Sequence, residues 1–178
     1  MARKKNREEP SSAVDVKGFF RLQIVDPDES VVGDSGWQKN TVTDVGLYQY
    51  LVKAIASQET PVEVSHVALG SATAAVSASA SSLPGEWHSS VSNIWANAST
   101  NWRKTVQADT GSKSCTFLAT FAASGWHTHT SAALQIANIG LYNAATATGS
   151  LFAGNTFNSS GVASNQAVNV TYTINFSG

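Results

Sequence analysis

Two short stretches hold the residue types that most often do chemistry. The segment GWHTHT, Gly125–Thr130, sets His127 and His129 two positions apart beside Trp126. In a strand, both imidazoles would point to one side, as a metal site requires. Zinc takes three or four ligands, however, and no Cys, Asp or Glu stands near in sequence. His66 and His88 would have to be brought in by folding, or one histidine from each of three subunits would have to meet on a three-fold axis. The expectation is no metal. The segment reads instead as a turn or strand end, with Trp126 as an apolar plug and His127 and His129 at a polar rim or interface. A pH-sensitive contact is the alternative, because imidazole titrates near neutrality.

The second stretch is GDSGW, Gly33–Trp37. It contains the tetrad found around the nucleophile of trypsin-like proteases, but that order needs a catalytic histidine and aspartate upstream. No histidine precedes His66, and Trp37 replaces the usual second glycine. A loop in which Gly and Asp supply turn conformations is the simpler reading. Asp26, Asp28 and Glu29 cluster in DPDE, where a turn is expected rather than a calcium site. Cys115 is the single cysteine, so no intrachain disulfide forms. It shares one face of SCTFLATF with Phe117, Ala119 and Phe121, as a small buried hydrophobe would. No Gly-rich phosphate loop, Cys-x-x-Cys or His-Glu-x-x-His occurs. No catalytic residue, metal or cofactor is expected, and the chain does not read as an enzyme.

Charge is placed unevenly along the 178 residues, although the net is only -1. Arg3, Lys4, Lys5 and Arg7 crowd the first positions, whereas from Thr110 onward the only charged side chain is Lys113. Ser, Thr and Asn take the polar positions there, which suits β-structure and close subunit contact because little charge must be desolvated. The weak net charge gives no bulk field to recruit nucleic acid or a membrane surface. No apolar run reaches the roughly 18 residues of a membrane span. The charged start has no apolar segment behind it, so a signal peptide is not expected.

Residues 1–15 are polar and broken by Pro10. They read as a basic N-terminal arm held by a partner, with Arg3, Lys4, Lys5, Arg7, Val14 and Val16 as its contacts. Residues 16–178 fit one domain. Strand runs are expected at Val16–Asp26, around SVVGD, at EVSHVALG, and at Ser114–Ala123, Ala132–Asn143, Ser150–Asn158 and Ala167–Phe176. The last alternates Val168, Val170, Tyr172, Ile174 and Phe176 with Asn and Thr, giving one buried and one wet face. Val45, Tyr48, Leu51, Val52 and Ile55 recur at helical spacing, with Thr43 or Asp44 as the cap. Residues 71–85, SATAAVSASASSLPG, read as a loop laid across a surface, too small in side chain to build a core. About eight strands with one amphipathic helix predict a mainly β domain, an antiparallel β-sandwich of jelly-roll type. Trp87, Trp95 and Trp102 are expected in core or interface; stacking on sugar rings is the alternative.

The segments VALGSATAAVSASASSLPGEW, SCTFLATFAASG, IANIGLYNAATATGSLFAGNTF and QAVNVTYTINF resemble a module of tailed-bacteriophage virion proteins. The likeness rests on Leu69-Gly70, Leu83 to Glu86, Gly140 to Asn143 and Val168 to Phe176, and spans roughly residues 62–177. It departs from the pattern at GWHTHTSA. The resemblance implies a non-enzymatic structural protein with no catalytic residues to carry over. A compact domain with a basic arm fits a capsid decoration or cement protein on the virion surface. Such a protein would contact the major capsid protein or a neighbouring virion protein and assemble as a homo-oligomer, most simply a trimer. A tail, neck or fibre component is the second reading and a glycan-binding module the third.

Overall fold

The structure is a computed structural model, and it describes residues 15–56, 62–87, 103–122, 134–146 and 148–177. Arg3, Lys4, Lys5, Arg7, Val14, Trp95, Trp102, Trp126, His127 and His129 lie outside the described residues.

The fold is mainly β and antiparallel throughout its strand pairs. Ten strands are described: β1 (Asp15–Val25), β2 (Val31–Asp34), β3 (Gln38–Val42), β4 (His66–Gly70), β5 (Lys104–Thr105), β6 (Gln107–Thr110), β7 (Ser114–Phe121), β8 (Leu134–Tyr142), β9 (Leu151–Val162) and β10 (Ala167–Ser177). Their order across the sheet is β5-β4-β8-β9-β3-β1-β10-β7-β6, with β2 on β1. The two ends of that order, β5 and β6, are separated in the chain by Val106 alone, and the Val106 amide donates to the Ser65 carbonyl at 3.0 Å. The sheet therefore nearly closes on itself in a barrel-like arrangement.

Alternation along the strands explains the interior. Val16, Phe20, Leu22 and Ile24 of β1 stand opposite Phe176, Tyr172, Val170 and Val168 of β10. Cys115, Phe117, Ala119 and Phe121 of β7 stand opposite Ile174, Tyr172, Val170 and Val168 in turn. Directly opposite residues share a face, so one row of side chains per strand fills a common core with Val67, Leu69, Ile136, Ile139 and Leu141 of the other wing. The outward rows pair as hydroxyls and amides: Thr116 with Thr173 at 3.2 Å, and Thr120 donating to Asn169 at 2.8 Å.

Two expectations need correction. The 71–85 segment does lie across a surface, but it also builds a second small core. Its Val76 and Leu83 pack with Ala68, Tyr142 and Leu151 on the outer side of β4, β8 and β9. Small side chains suffice because the wall beneath is cut away. A Cβ on Gly140 would lie 3.0 Å from Cγ of Leu83, and one on Gly154 would lie 3.1 Å from Cδ2 of Leu83.

The helix, α1, runs over residues 44–56, and its central turn Leu47–Val52 is π-helical. Thr43 caps it, its Oγ1 accepting from the Gly46 amide at 2.9 Å. The expected apolar face is not the buried one: Tyr48, Val52 and Ile55 are 55%, 49% and 83% exposed. Gly46 and Tyr50 face the barrel instead. The wider π-turn adds a residue to the repeat, which breaks the 3.6-residue spacing on which the expectation rests. Gly46 also sets the contact, since a Cβ there would stand 2.1 Å from the Phe152 carbonyl oxygen.

Candidate functional site

The nucleophile-like serine is tied into its own turn. Ser35 Oγ accepts from the Leu22 amide at 2.9 Å and donates to the Gly36 carbonyl at 2.9 Å. Asp34 is gripped by Arg21, whose Nε lies 3.0 and 3.1 Å from its two carboxylate oxygens, and by the Gly36 amide at 2.8 Å and Gln23 Nε2 at 3.1 Å. The Arg21 hydrogen bonds hold its carboxyl well below the usual range. Gly36 takes φ of +61°, a left-handed turn conformation. The described histidine, His66, lies on β4 rather than beside this turn in the β1–β2–β3 segment. The acidic DPDE stretch is the β1–β2 turn, with Asp28 Oδ1 accepting from the Ser30 amide at 3.0 Å and hydroxyl at 2.6 Å. Among the described residues no group of three or more His, Cys, Asp or Glu is placed to hold a metal ion.

A buried polar network is the feature that sequence reasoning missed. Glu86, at the end of the 71–85 strap, meets Arg103, just before β5. Arg103 Nε and Nη2 donate to the two Glu86 oxygens at 2.6 and 3.2 Å. The side chains are 2% and 8% exposed, arginine first. Arg103 Nη1 also donates to the carbonyls of Ala144 at 3.1 Å and Thr146 at 2.5 Å. The Tyr142 hydroxyl donates to Glu86 at 2.6 Å and accepts from the Leu83 amide at 2.8 Å. Burial, then the Glu86 carboxylate, push its phenol far above the ordinary value. Asn143 closes the following turn by accepting from the Ser150 amide at 2.6 Å. The segments Leu83 to Glu86 and Gly140 to Asn143, which carry the resemblance, thus meet in one place. The only signal in the sequence is two opposite charges in a weakly charged stretch.

Two openings stand out among the described residues. β3 is short: it pairs with β1 at Gly18–Phe20 and with β9 at Ala153–Gly154, while β9 continues to Val162. Beyond β3 a cleft of about 610 Å³ opens, walled by Asp34, Ser35 and Gln38 on one side and residues 156–160 of β9 on the other. The second opening, about 300 Å³, lies between Tyr50 and Leu51 of the helix and Cys115, Phe117, Ile174 and Phe176. Val16, expected as an arm contact, pairs with Phe176 beside it and packs on the core as part of β1. Trp87, at 3% exposure, is core, as expected for the tryptophans of its stretch.

Comparison with known proteins finds no matching family model, no similar curated protein and no similar solved structure.

Proposed function

We propose that this chain is a non-enzymatic virion structural protein that decorates and stabilises a phage head shell, bound through its basic arm to the major capsid protein or a neighbouring virion protein, and assembled as a trimer. The observation that carries this reading is the use made of the motif residues. Leu83, Glu86, Gly140, Tyr142 and Asn143 fasten one part of the chain to another, and none of them lines either opening. These five residues therefore serve rigidity, as a protein that works by surface contact needs. The finer architecture proposed with it is a jelly-roll-like sandwich. In support, the wings β6-β7-β10-β1 and β9-β8-β4-β5 share one core and are joined through β3.

The test is co-sedimentation with undecorated shells of the full chain and of a variant lacking residues 1–14. The truncated protein keeps all ten described strands and should retain its thermal transition, yet lose most of its retention on particles. Exposed ion pairs are worth only about 0–1 kcal/mol each, so salt should weaken the intact protein's attachment only in part. Equal binding by both forms would sink the anchoring role. A tail, neck or fibre position is the competing reading, and a copy number of a few per particle would favour it.

A further inference from the structure

We propose that the cleft between β3 and the second half of β9 is a saccharide site, taking a neutral oligosaccharide with the Phe157 ring as an apolar wall and the Asn158 amide as a hydrogen-bonding group. Its described lining residues lie outside residues 1–15, and the proposal does not depend on the virion reading.

The chemistry of the walls selects the ligand. Ser35, Gln38, Thr73, Thr156, Asn158 and Ser160 line the cleft with hydroxyls and amides, groups that both donate and accept. Among the described residues the side chains of Thr73, Thr156, Asn158 and Ser160 have no hydrogen-bond partner, so they are available to a ligand that carries hydroxyls of its own. The one carboxylate in the lining, Asp34, is neutralised by the two-pronged Arg21 contact and further occupied by bonds from Gln23 and Gly36. A cationic ligand therefore finds no unpaired charge, and an anionic one finds no free cation in the lining. What remains is a neutral polyhydroxy compound.

An apolar surface completes the match. Phe157 sets a ring in the wall and is braced from behind by Phe20 at 5.6 Å. Rings beside short polar groups are how proteins grip a flat ligand with a wet edge and a dry face. The frame is already set, because Ser35 and Asp34 are tied to Leu22, Arg21 and Gly36 before any ligand arrives, which lowers the cost of binding. At about 610 Å³ the cleft is of ligand-site size.

The experiment is a ¹⁵N-correlation titration of the full chain with cellotriose, maltotriose and N,N′,N″-triacetylchitotriose. At least one should give saturable shifts confined to Gln38, Thr73 and residues 156–160. High salt should leave them unchanged, because no ligand charge is screened. Thr73→Ala and Asn158→Ala should each weaken binding by about tenfold or more without moving the thermal transition, because both side chains line the cleft and are exposed. Absence of cleft shifts with all three sugars at ~10 mM, above a millimolar dissociation constant, overturns the proposal. So does binding that salt abolishes, or binding that both variants leave intact.

Discussion

The guanidinium carbon of Arg103 lies 3.4 Å from the centre of the Tyr142 ring, and the hydroxyl of that ring donates to the carboxylate that Arg103 itself holds. Cation, ring and anion form a closed triangle in which each member fixes the other two. The triangle joins the end of the strap, the residue before β5 and the last residue of β8. Those pieces lie far apart in sequence, and the fold depends on bringing them together.

Breaking the triangle on one side should therefore be costly. Arg103→Met leaves the Glu86 carboxylate buried beside an apolar chain, and about 3–5 kcal/mol of stability should be lost. The double variant Glu86→Leu with Arg103→Met should lose clearly less, since no charge is stranded. Urea unfolding of wild type, both single variants and the double variant gives the coupling; additive losses would show that the pair is not a unit.

The strap should behave as core rather than as loop. Leu83→Ala removes the side chain packed over Gly140 and Gly154 and should cost about 2–5 kcal/mol. Ala80, at the margin of the same cluster, should tolerate Ala80→Ser with little loss. A shift in thermal midpoint for Leu83→Ala no larger than for Ala80→Ser would refute the second core.

Helix docking should be sensitive at a single methyl group. Gly46→Ala places a Cβ 2.1 Å from the backbone carbonyl oxygen of Phe152, and backbone cannot rotate away as a side chain can. The helix must lift, loosening the Tyr50 hydroxyl from the Ser150 carbonyl at 2.7 Å and its ring from Phe152 at 4.9 Å. Hydrogen exchange at the helix amides should accelerate, although alanine is the better helix former. Unchanged protection there would show that the contact has slack.

His66 should make stability depend on pH in a defined direction. Burial, and after it repulsion from Arg103, hold its imidazole below the ordinary value. In the unfolded chain it titrates near ~6.5, so on acidification the unfolded state takes up the proton first. Stability is then full above about pH 6.5 and declines as pH falls through that value. His66→Gln should flatten this part of the profile. Thermal midpoints of both proteins between neutral and mildly acidic pH make the comparison, and parallel curves would exclude the contribution.

Much of the strand framework is legible in the amino-acid sequence. The alternation of Val168, Val170, Tyr172, Ile174 and Phe176, and of Cys115, Phe117, Ala119 and Phe121, names the inward faces of β10 and β7 correctly. A strand's two faces follow from its own two-residue period, so a local pattern is sufficient. Thr43 is legible as a cap for the same reason: it acts on an amide three residues away. β3, β5 and β6 are not legible. They are two to five residues long and hold their shape through partners distant in the chain. Periodicity misplaces the helix face because the buried side depends on where Gly46 meets Phe152, a contact more than a hundred residues apart. Glu86 and Arg103, likewise, are simply two charged residues until β4 and β8 bring Tyr142 between them. Periodicity sets the faces of an isolated segment, whereas closure of the sheet, the packing of the strap and the burial of an ion pair are long-range events whose energies exist only once the segments have met.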